Sequence, residues 1–255
     1  MKEFASENKT INIWGIKFNL FNLKEFVSKI DERIQNNETP IHITGVNPET
    51  VVHASQDVFM QKAVMESDFV NIDNTTILKT LRILGYPAPT RVATPDLFEA
   101  LLDLSYKNGY KVYILGAREF VLKNAIENIQ KDYPSLIIKG HHGYYPRENE
   151  ELIINEISHF APTMLFIALP SPEKEKFIMK YKNNINVKVF LGVGGAVDCR
   201  AGLVKRASIK LRNYGLEGIH RALQNPIYYG NKYLTFYPKF FKIVYKWRKS
   251  RVNIK

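Results

Sequence analysis

Two short stretches carry the residue types from which a reaction could be assembled. Asp73 directly follows the apolar run Phe69–Ile72, so its carboxylate stands at the predicted carboxyl end of a strand. The second stretch, residues 187–207, reads VKVFLGVGGAVDCRAGLVKRA and passes from a β-branched and aromatic run into Gly192, Gly194 and Gly195. Glycines there allow backbone conformations closed to other residues, and the bare amides of a turn at a strand's carboxyl end can approach a phosphate closely. Asp198, Lys205 and Arg206 follow, which brings one carboxylate and two cations near that turn. Each stretch also has a plainer reading, the glycines as a tight turn and Asp73 as a helix N-cap.

Other reactive patterns are missing from the sequence. The six histidines form no metal constellation: His141 and His142 are adjacent, and neither pairs with Cys or a carboxylate at ligand spacing. No Asp-x-Asp pair is present to hold a divalent ion on a diphosphate, so a reaction without metal is favoured and no cofactor is expected. No Ser occupies a Gly-x-Ser-x-Gly elbow, Cys199 lacks an activating neighbour, and neither a full GxGxxG nor a Walker lysine occurs. Gly116 with Arg118 reads either as a second anion-binding turn or as an ordinary loop. Asp96, Asp103 and Asp132 fall on predicted helices, where acids are most often solvated or structural.

The elements that must position these residues alternate. Apolar patterning predicts a strand or hairpin over 11–18, a helix over 23–34, and strands at 41–44, 69–72, 111–115, 136–139, 164–169 and 187–191. Helices are predicted between them. One starts at Asn47-Pro48-Glu49 and runs to about Glu66. Others follow Asn74-Thr75, Thr94-Pro95 with Thr94 as cap, and Glu119, and further ones run from about Glu148 to His159 and onward from Pro172. This alternation predicts an α/β, Rossmann-like fold, a mostly parallel sheet with helices on both faces. Asp73 and the glycine turn would then share the carboxyl edge of one sheet.

The chain has 255 residues, 45% apolar and 24% charged, which suits one large globular body. A single cysteine excludes an intrachain disulfide, no run of 18 apolar residues occurs, and the opening MKEFASENKT lacks the apolar core of a signal peptide. A cytoplasmic location is the expectation. The net charge of +11 is concentrated at one end: residues 199–255 hold 14 Lys or Arg and one acid, Glu217, a local sum of +13 that leaves about −2 for the rest. Nine aromatic residues are interleaved with cations between Tyr228 and Trp247. Such a tail suits a phosphate-bearing surface, either an anionic membrane or a nucleic acid, unless its aromatics only pack on the protein's own core. The division expected is a catalytic α/β domain over 1–207 and a basic helical C-terminal appendage over 208–255.

Several separated blocks together resemble the WecG/TagA/CpsF glycosyltransferases (glycosyltransferase family 26). They are Thr-x-x-Asn-Pro-Glu at 44–49, the strand-end Asp73, Arg-Val-x-x-Pro-Asp at 91–96, Leu115-Gly116, Gly143-Tyr144, and Pro-x-x-Glu at 172–175. GVGGAVDCRAG with Lys205-Arg206-Ala207 follows, then Gly215-Leu216-Glu217, Arg221 and Pro226. The resemblance implies an inverting, metal-independent transfer of an N-acetylmannosamine-type sugar or glucose from a UDP-sugar to a polyprenyl-diphosphate-linked acceptor. The product would be a bacterial capsule, exopolysaccharide or teichoic acid. It implies Asp73 as general base with Thr44 beside it. Substrate would be held by Asn47, Arg91, Asp96, Gly116, Gly143, Tyr144, Pro172, Glu175, Gly192, Gly194, Gly195, Asp198, Arg206, Glu217 and Arg221. The tail would dock on the inner face of the cell membrane; no nucleic-acid partner is implied, and a homo-oligomer is compatible. Lys174 stands where the family has Gln, and Tyr228 and Asn231 stand where arginines are expected. The alternative from composition alone is a basic nucleic-acid-binding module.

Overall fold

The structure, a computed structural model, describes residues 9–252. Most of the opening stretch read for a leader, and the last three residues of the basic tail, lie outside the described residues. The strands are Thr10–Ile13 (β1), Ile16–Asn19 (β2), Ile41–Val46 (β3), Phe69–Ile72 (β4), Val112–Gly116 (β5), Ile138–His141 (β6), Met164–Ala168 (β7) and Val189–Gly192 (β8). Helices between them are Leu23–Gln35 (α1), Pro48–Gln56 (α2), Val58–Met65 (α3), Thr75–Ile83 (α4), Thr94–Asn108 (α5), Glu119–Asp132 (α6), Glu150–Phe160 (α7) and Glu173–Tyr181 (α8). Ala196–Arg200 (α9), Ile209–Asn213 (α10), Glu217–Gln224 (α11) and Pro226–Val252 (α12) complete the chain.

Six strands form one sheet in the order β4-β3-β8-β7-β5-β6, and every pairing in it is parallel. The fold is α/β and Rossmann-like. Because side chains alternate along a strand, both faces must be covered, and the buried residues separate accordingly. Ile41, Ile43, Ile114, Phe166 and Leu191 meet α1, α5, α6 and α9 in one core. Tyr113, Leu115, Leu165, Ile167 and Phe190 meet α7 and α8 in another. At the β3–β4 end, Val46, Val70 and Ile72 pack with α2, α4 and the β1–β2 hairpin.

That third core also takes in the basic tail. Phe240 of α12 is fully buried there and meets Trp14 of the hairpin edge-to-face at 5.4 Å; burying such a ring stabilises by roughly 1.5–3 kcal/mol. The edge of β4 is covered as well, since Asn19 Oδ1 accepts from the Val70 N–H at 2.7 Å, which occupies an edge donor that would otherwise be open to another chain.

Several element boundaries differ from the sequence expectation, β6 by two residues at each end, and two differences bear on the site. The helix predicted from Asn47 to Glu66 is two helices, because Asp57 adopts extended backbone and its Oδ1 accepts from the N–H groups of Phe59 and Met60, starting α3 afresh. Thr94 is not the cap of α5 but its first residue; the cap position is Ala93, which has no side chain for the task.

Candidate active site

A cleft of about 530 Å³ opens along the carboxyl ends of β4, β3, β8, β7 and β5. In open parallel sheets this is the edge where ligands bind. The N-terminal residues of α2, α4 and α5 also line it, so the positive ends of three helices face the same space. α11 and α12 form the far wall, through Glu217, Gly218, Arg221 and a run of aromatic residues.

Asp73 is set into the floor. Its N–H donates to Val46 O at 3.1 Å, holding the residue in line with the sheet. Asn74, not Asp73, caps α4, accepting from Ile77 N–H at 3.0 Å. Asp73 Oδ1 instead accepts from the Thr94 N–H at 2.7 Å. It thereby caps α5 from 21 residues away and supplies what Ala93 cannot. Among the described residues Oδ2 takes no hydrogen bond, and it remains available to the cleft. Gly45 makes this approach possible: a Cβ there would lie 2.2 Å from Thr94 Oγ1 and 3.4 Å from Asp73 Cβ.

On the next strand but one stand Gly192, Gly194 and Gly195, all lining the cleft, with Gly194 at φ +48. The aliphatic stem of Lys174 lies across Gly192, where a Cβ would come within 2.9 Å of Lys174 Cδ. Asp198 also lines the cleft; burial raises its carboxyl above the ordinary value, outweighing a backbone hydrogen bond and the charge of Arg118, which both lower it.

The far wall is held by ion pairs. Arg91 Nη2 meets Glu217 Oε2 at 2.8 Å, Arg221 Nη2 meets Glu217 Oε1 at 3.1 Å, and Arg206 Nε lies 3.7 Å from the same oxygen. Burial pushes the Glu217 carboxyl up, but the charges of Arg221, Arg91 and Arg206 outweigh it and hold the group below its ordinary value. Asp96 receives Arg206 and Arg212, each at 2.7 Å. Four arginines thus share two carboxylates, an excess of positive charge beside the cleft. On α12, Lys232 pairs with Glu49 of α2, and both line the cleft.

Of the residues singled out from sequence, Asp73, Asn47, Arg91, Gly192, Gly194, Gly195, Asp198, Glu217 and Arg221 line this one cleft. The others do not. Thr44 Oγ1 is bonded to Ser67 Oγ at 2.7 Å and His42 Nε2 at 3.1 Å, because in a strand it points to the face opposite Gly45. Burial, reinforced by Lys182 and opposed by Asp68, pushes His42 down to about 4, so this network holds a neutral imidazole. Gly116 and Gly143 lie behind Ala117: a Cβ on Gly116 would reach the Ala168 backbone at 2.5 Å, and one on Gly143 would reach Gly116 Cα at 3.0 Å. Tyr144 is 72% exposed beside them. Pro172 precedes α8 outside the lining, and buried Glu175 accepts from Ser171 Oγ at 2.9 Å and pairs with Lys174. Glu175 therefore orients two residues that do line the cleft. Asp96 and Arg206 bind each other at its rim.

Sequence reasoning missed Gly45, Thr94, Ser171, Glu49, Lys232 and the tyrosines 229, 233 and 237, all of which line the cleft. The tyrosines had a signal, since a spacing of four residues puts them on one helical face, hidden by four other aromatic residues from Tyr228 to Phe241.

The chain matches the Glycosyl transferase WecG/TagA/CpsF family over residues 11–253. It belongs to that family. A relative from Staphylococcus aureus (strain MRSA252) is 30% identical over 222 residues, 87% of each chain. Another, from strain MW2, is 29% identical over 224 residues, 88% of each. Both carry the name N-acetylglucosaminyldiphosphoundecaprenol N-acetyl-beta-D-mannosaminyltransferase. The protein is a glycosyltransferase, and among its described residues no helix is long and apolar enough to cross a membrane.

Proposed function

We propose that this glycosyltransferase inverts the anomeric centre of a nucleotide diphosphate sugar as it joins the sugar to a polyprenyl-diphosphate-linked saccharide. The observation that carries the reading is one carboxylate, Asp73, in the same cleft as the Gly192–Gly195 amides and Arg221. Asp73 Oδ2 takes the proton of the acceptor hydroxyl as that oxygen bonds to the anomeric carbon. The bond from this carbon to the donor's diphosphate breaks, and the electron pair leaves with the phosphate oxygen. Amides of the glycine turn, the helix N-termini and the guanidiniums of Arg91 and Arg221 receive the charge that develops there, in the role a divalent ion would otherwise fill. Thr44 has no step in this scheme; it braces β3 through His42 and Ser67.

The relatives' name supplies the first pair to try, an N-acetylmannosaminyl donor, here as its UDP derivative, and a lipid-linked N-acetylglucosamine acceptor. Support for a lipid acceptor comes from α12. From Phe236 onward it buries Phe240 and packs Phe236, Ile243, Val244 and Trp247 against the core. Ile227, Leu234, Phe241 and Tyr245 are 78%, 78%, 51% and 67% exposed, and at 100° per residue they fall on the opposite side of the helix. Lys239, Lys242, Lys246, Arg248 and Lys249 are interleaved with that stripe. An apolar stripe flanked by cations suits the interface of an anionic leaflet, so we assign the inner face of the membrane as the place of action.

The test is a panel of nucleotide sugars scored by thermal unfolding, followed by transfer of the stabilising sugar to a short-prenyl diphosphate-linked N-acetylglucosamine. A donor that binds the native state raises the melting temperature. Failure of every nucleotide sugar both to stabilise the chain and to transfer would refute the proposal.

A further inference from the structure

We propose that Tyr229, Tyr233 and Tyr237 of α12 form a platform for the acceptor's sugar ring, and that Lys232 beside them meets the acceptor's diphosphate. The inference rests on the sugar-transfer reading and assigns one end of the cleft to the acceptor.

The position of α12 decides which substrate it serves. α12 runs along α2, the first of the two helices that connect β3 to β4, and Lys232 is paired there with Glu49. Asp73 ends β4, the outermost strand on that side, whereas the glycine turn ends β8 toward the middle of the sheet. A general base must touch the hydroxyl it deprotonates, so the acceptor lies at the Asp73 end, under α12. The donor's diphosphate is left to the glycine turn.

The three tyrosines are spaced by four residues, with ring centroids 6.1 Å apart for Tyr229 and Tyr233 and 5.0 Å for Tyr233 and Tyr237. They line the cleft and are half-buried, and the hydrophobic core that contains Phe240 includes none of them. Core packing therefore does not explain the ladder. A pyranose has an apolar C–H face and a rim of hydroxyls, and a tyrosine offers an apolar face and a polar tip. Tyr233 is fixed in place, its Oη donating to Gly218 O at 2.9 Å. Burial pushes its phenol up to about 12, so it keeps that proton at neutral pH. Of the cations of α12, Lys232 alone lines the cleft among the described residues. Its tie to Glu49 keeps an ammonium where a diphosphate can displace the carboxylate. Positions 228 and 231 of the same helix, where the family resemblance leads one to expect arginines, hold Tyr and Asn.

The experiment uses the full chain with a water-soluble short-prenyl diphosphate-linked N-acetylglucosamine, titrated calorimetrically without donor and then in turnover with UDP-N-acetylmannosamine. Tyr229→Ala and Tyr237→Ala are expected to weaken binding of the probe, and to raise its KM, by about tenfold or more, with the donor's KM within about twofold. Tyr→Phe at either position keeps the ring and restores binding to within about threefold. Lys232→Met is expected to weaken the diphosphate-linked probe and to leave methyl N-acetylglucosaminide unaffected. Alanine variants that bind the probe as the wild type does, or that raise the donor's KM instead, overturn the platform, as does a wild-type chain that does not bind the probe. A chain that binds the probe through these tyrosines and transfers no sugar to it sinks the transfer reading and leaves the platform standing.

Discussion

The strand-end wall of the cleft and its C-terminal helical wall hold their polar groups in different ways. On the first, main-chain geometry fixes the chemistry: Asp73 is pinned by Val46 O and the Thr94 N–H, Gly45 and Gly192 leave room for the Thr94 and Lys174 side chains against the backbone, and Gly194 takes φ +48. On the second, long side chains are held by one another, with Arg91, Arg206 and Arg221 gathered on Glu217 and Lys232 on Glu49. A wall built on backbone is rigid before substrate arrives and suits the reacting centre. A wall built on ion pairs can exchange a carboxylate for a substrate's phosphate, which suits capture and release.

The most severe test of this contrast is Asp73→Asn. The amide oxygen of Asn can still accept from Thr94 N–H, so the fold and donor binding should persist while turnover falls by roughly 10²–10⁴-fold. Asp73→Ala should lose the same turnover and, with the cap of α5 gone, about 0.5–2 kcal/mol of stability as well. Kinetics and thermal unfolding of the two variants separate the chemical role from the structural one. Near-normal turnover in Asp73→Asn removes this carboxylate from the reaction.

Membrane attachment is expected to respond next most strongly. Leu234→Glu with Phe241→Glu places two charges on the exposed stripe of α12 and should lower co-sedimentation with anionic vesicles by about tenfold or more. Turnover with a water-soluble acceptor should be kept, because neither residue lines the cleft. A double variant that pellets like the wild type contradicts the assignment of that face. Gly45→Ala probes the opposite wall: its Cβ would overlap Thr94 Oγ1, and such overpacking costs about 1–3 kcal/mol. Here stability and kcat should fall together, since the displaced α5 terminus carries the donor that orients Asp73.

The two walls were also unequally legible in the sequence. Strand alternation and the residues that end strands are local, so the sequence alone puts Asp73 and the Gly192–Gly195 turn on one sheet edge. A one-residue step along β3 was enough to mislead, since Thr44 and Gly45 point to opposite faces and only Gly45 lines the cleft. On the helical wall the partners are far apart in sequence: Arg91 meets Glu217, Asp96 meets Arg206, and Lys232 meets Glu49. No periodicity predicts such pairs. In α12 the cleft-facing tyrosines and the core-facing Phe240 recur on overlapping helical spacings, so composition shows an aromatic basic tail and hides that it closes the site.

The smallest effect expected comes from Glu217→Gln, and its pH dependence tests whether the ion-paired wall contributes stability at all. Burial tends to raise the carboxyl, yet Arg221 and Arg91 hold it below 4.5 in the fold. A carboxyl depressed on folding stabilises the protein above its unfolded value, and that contribution is lost as pH falls through 4.5 and then through the folded value. At about pH 7 the wild type should therefore melt above Glu217→Gln, and the gap should narrow on acidification to about pH 3. A gap that stays constant over that range would mean the three guanidiniums contribute geometry alone. A gap that closes would show that the charge of Glu217 keeps the arginine wall assembled, as the exchange of carboxylate for phosphate requires.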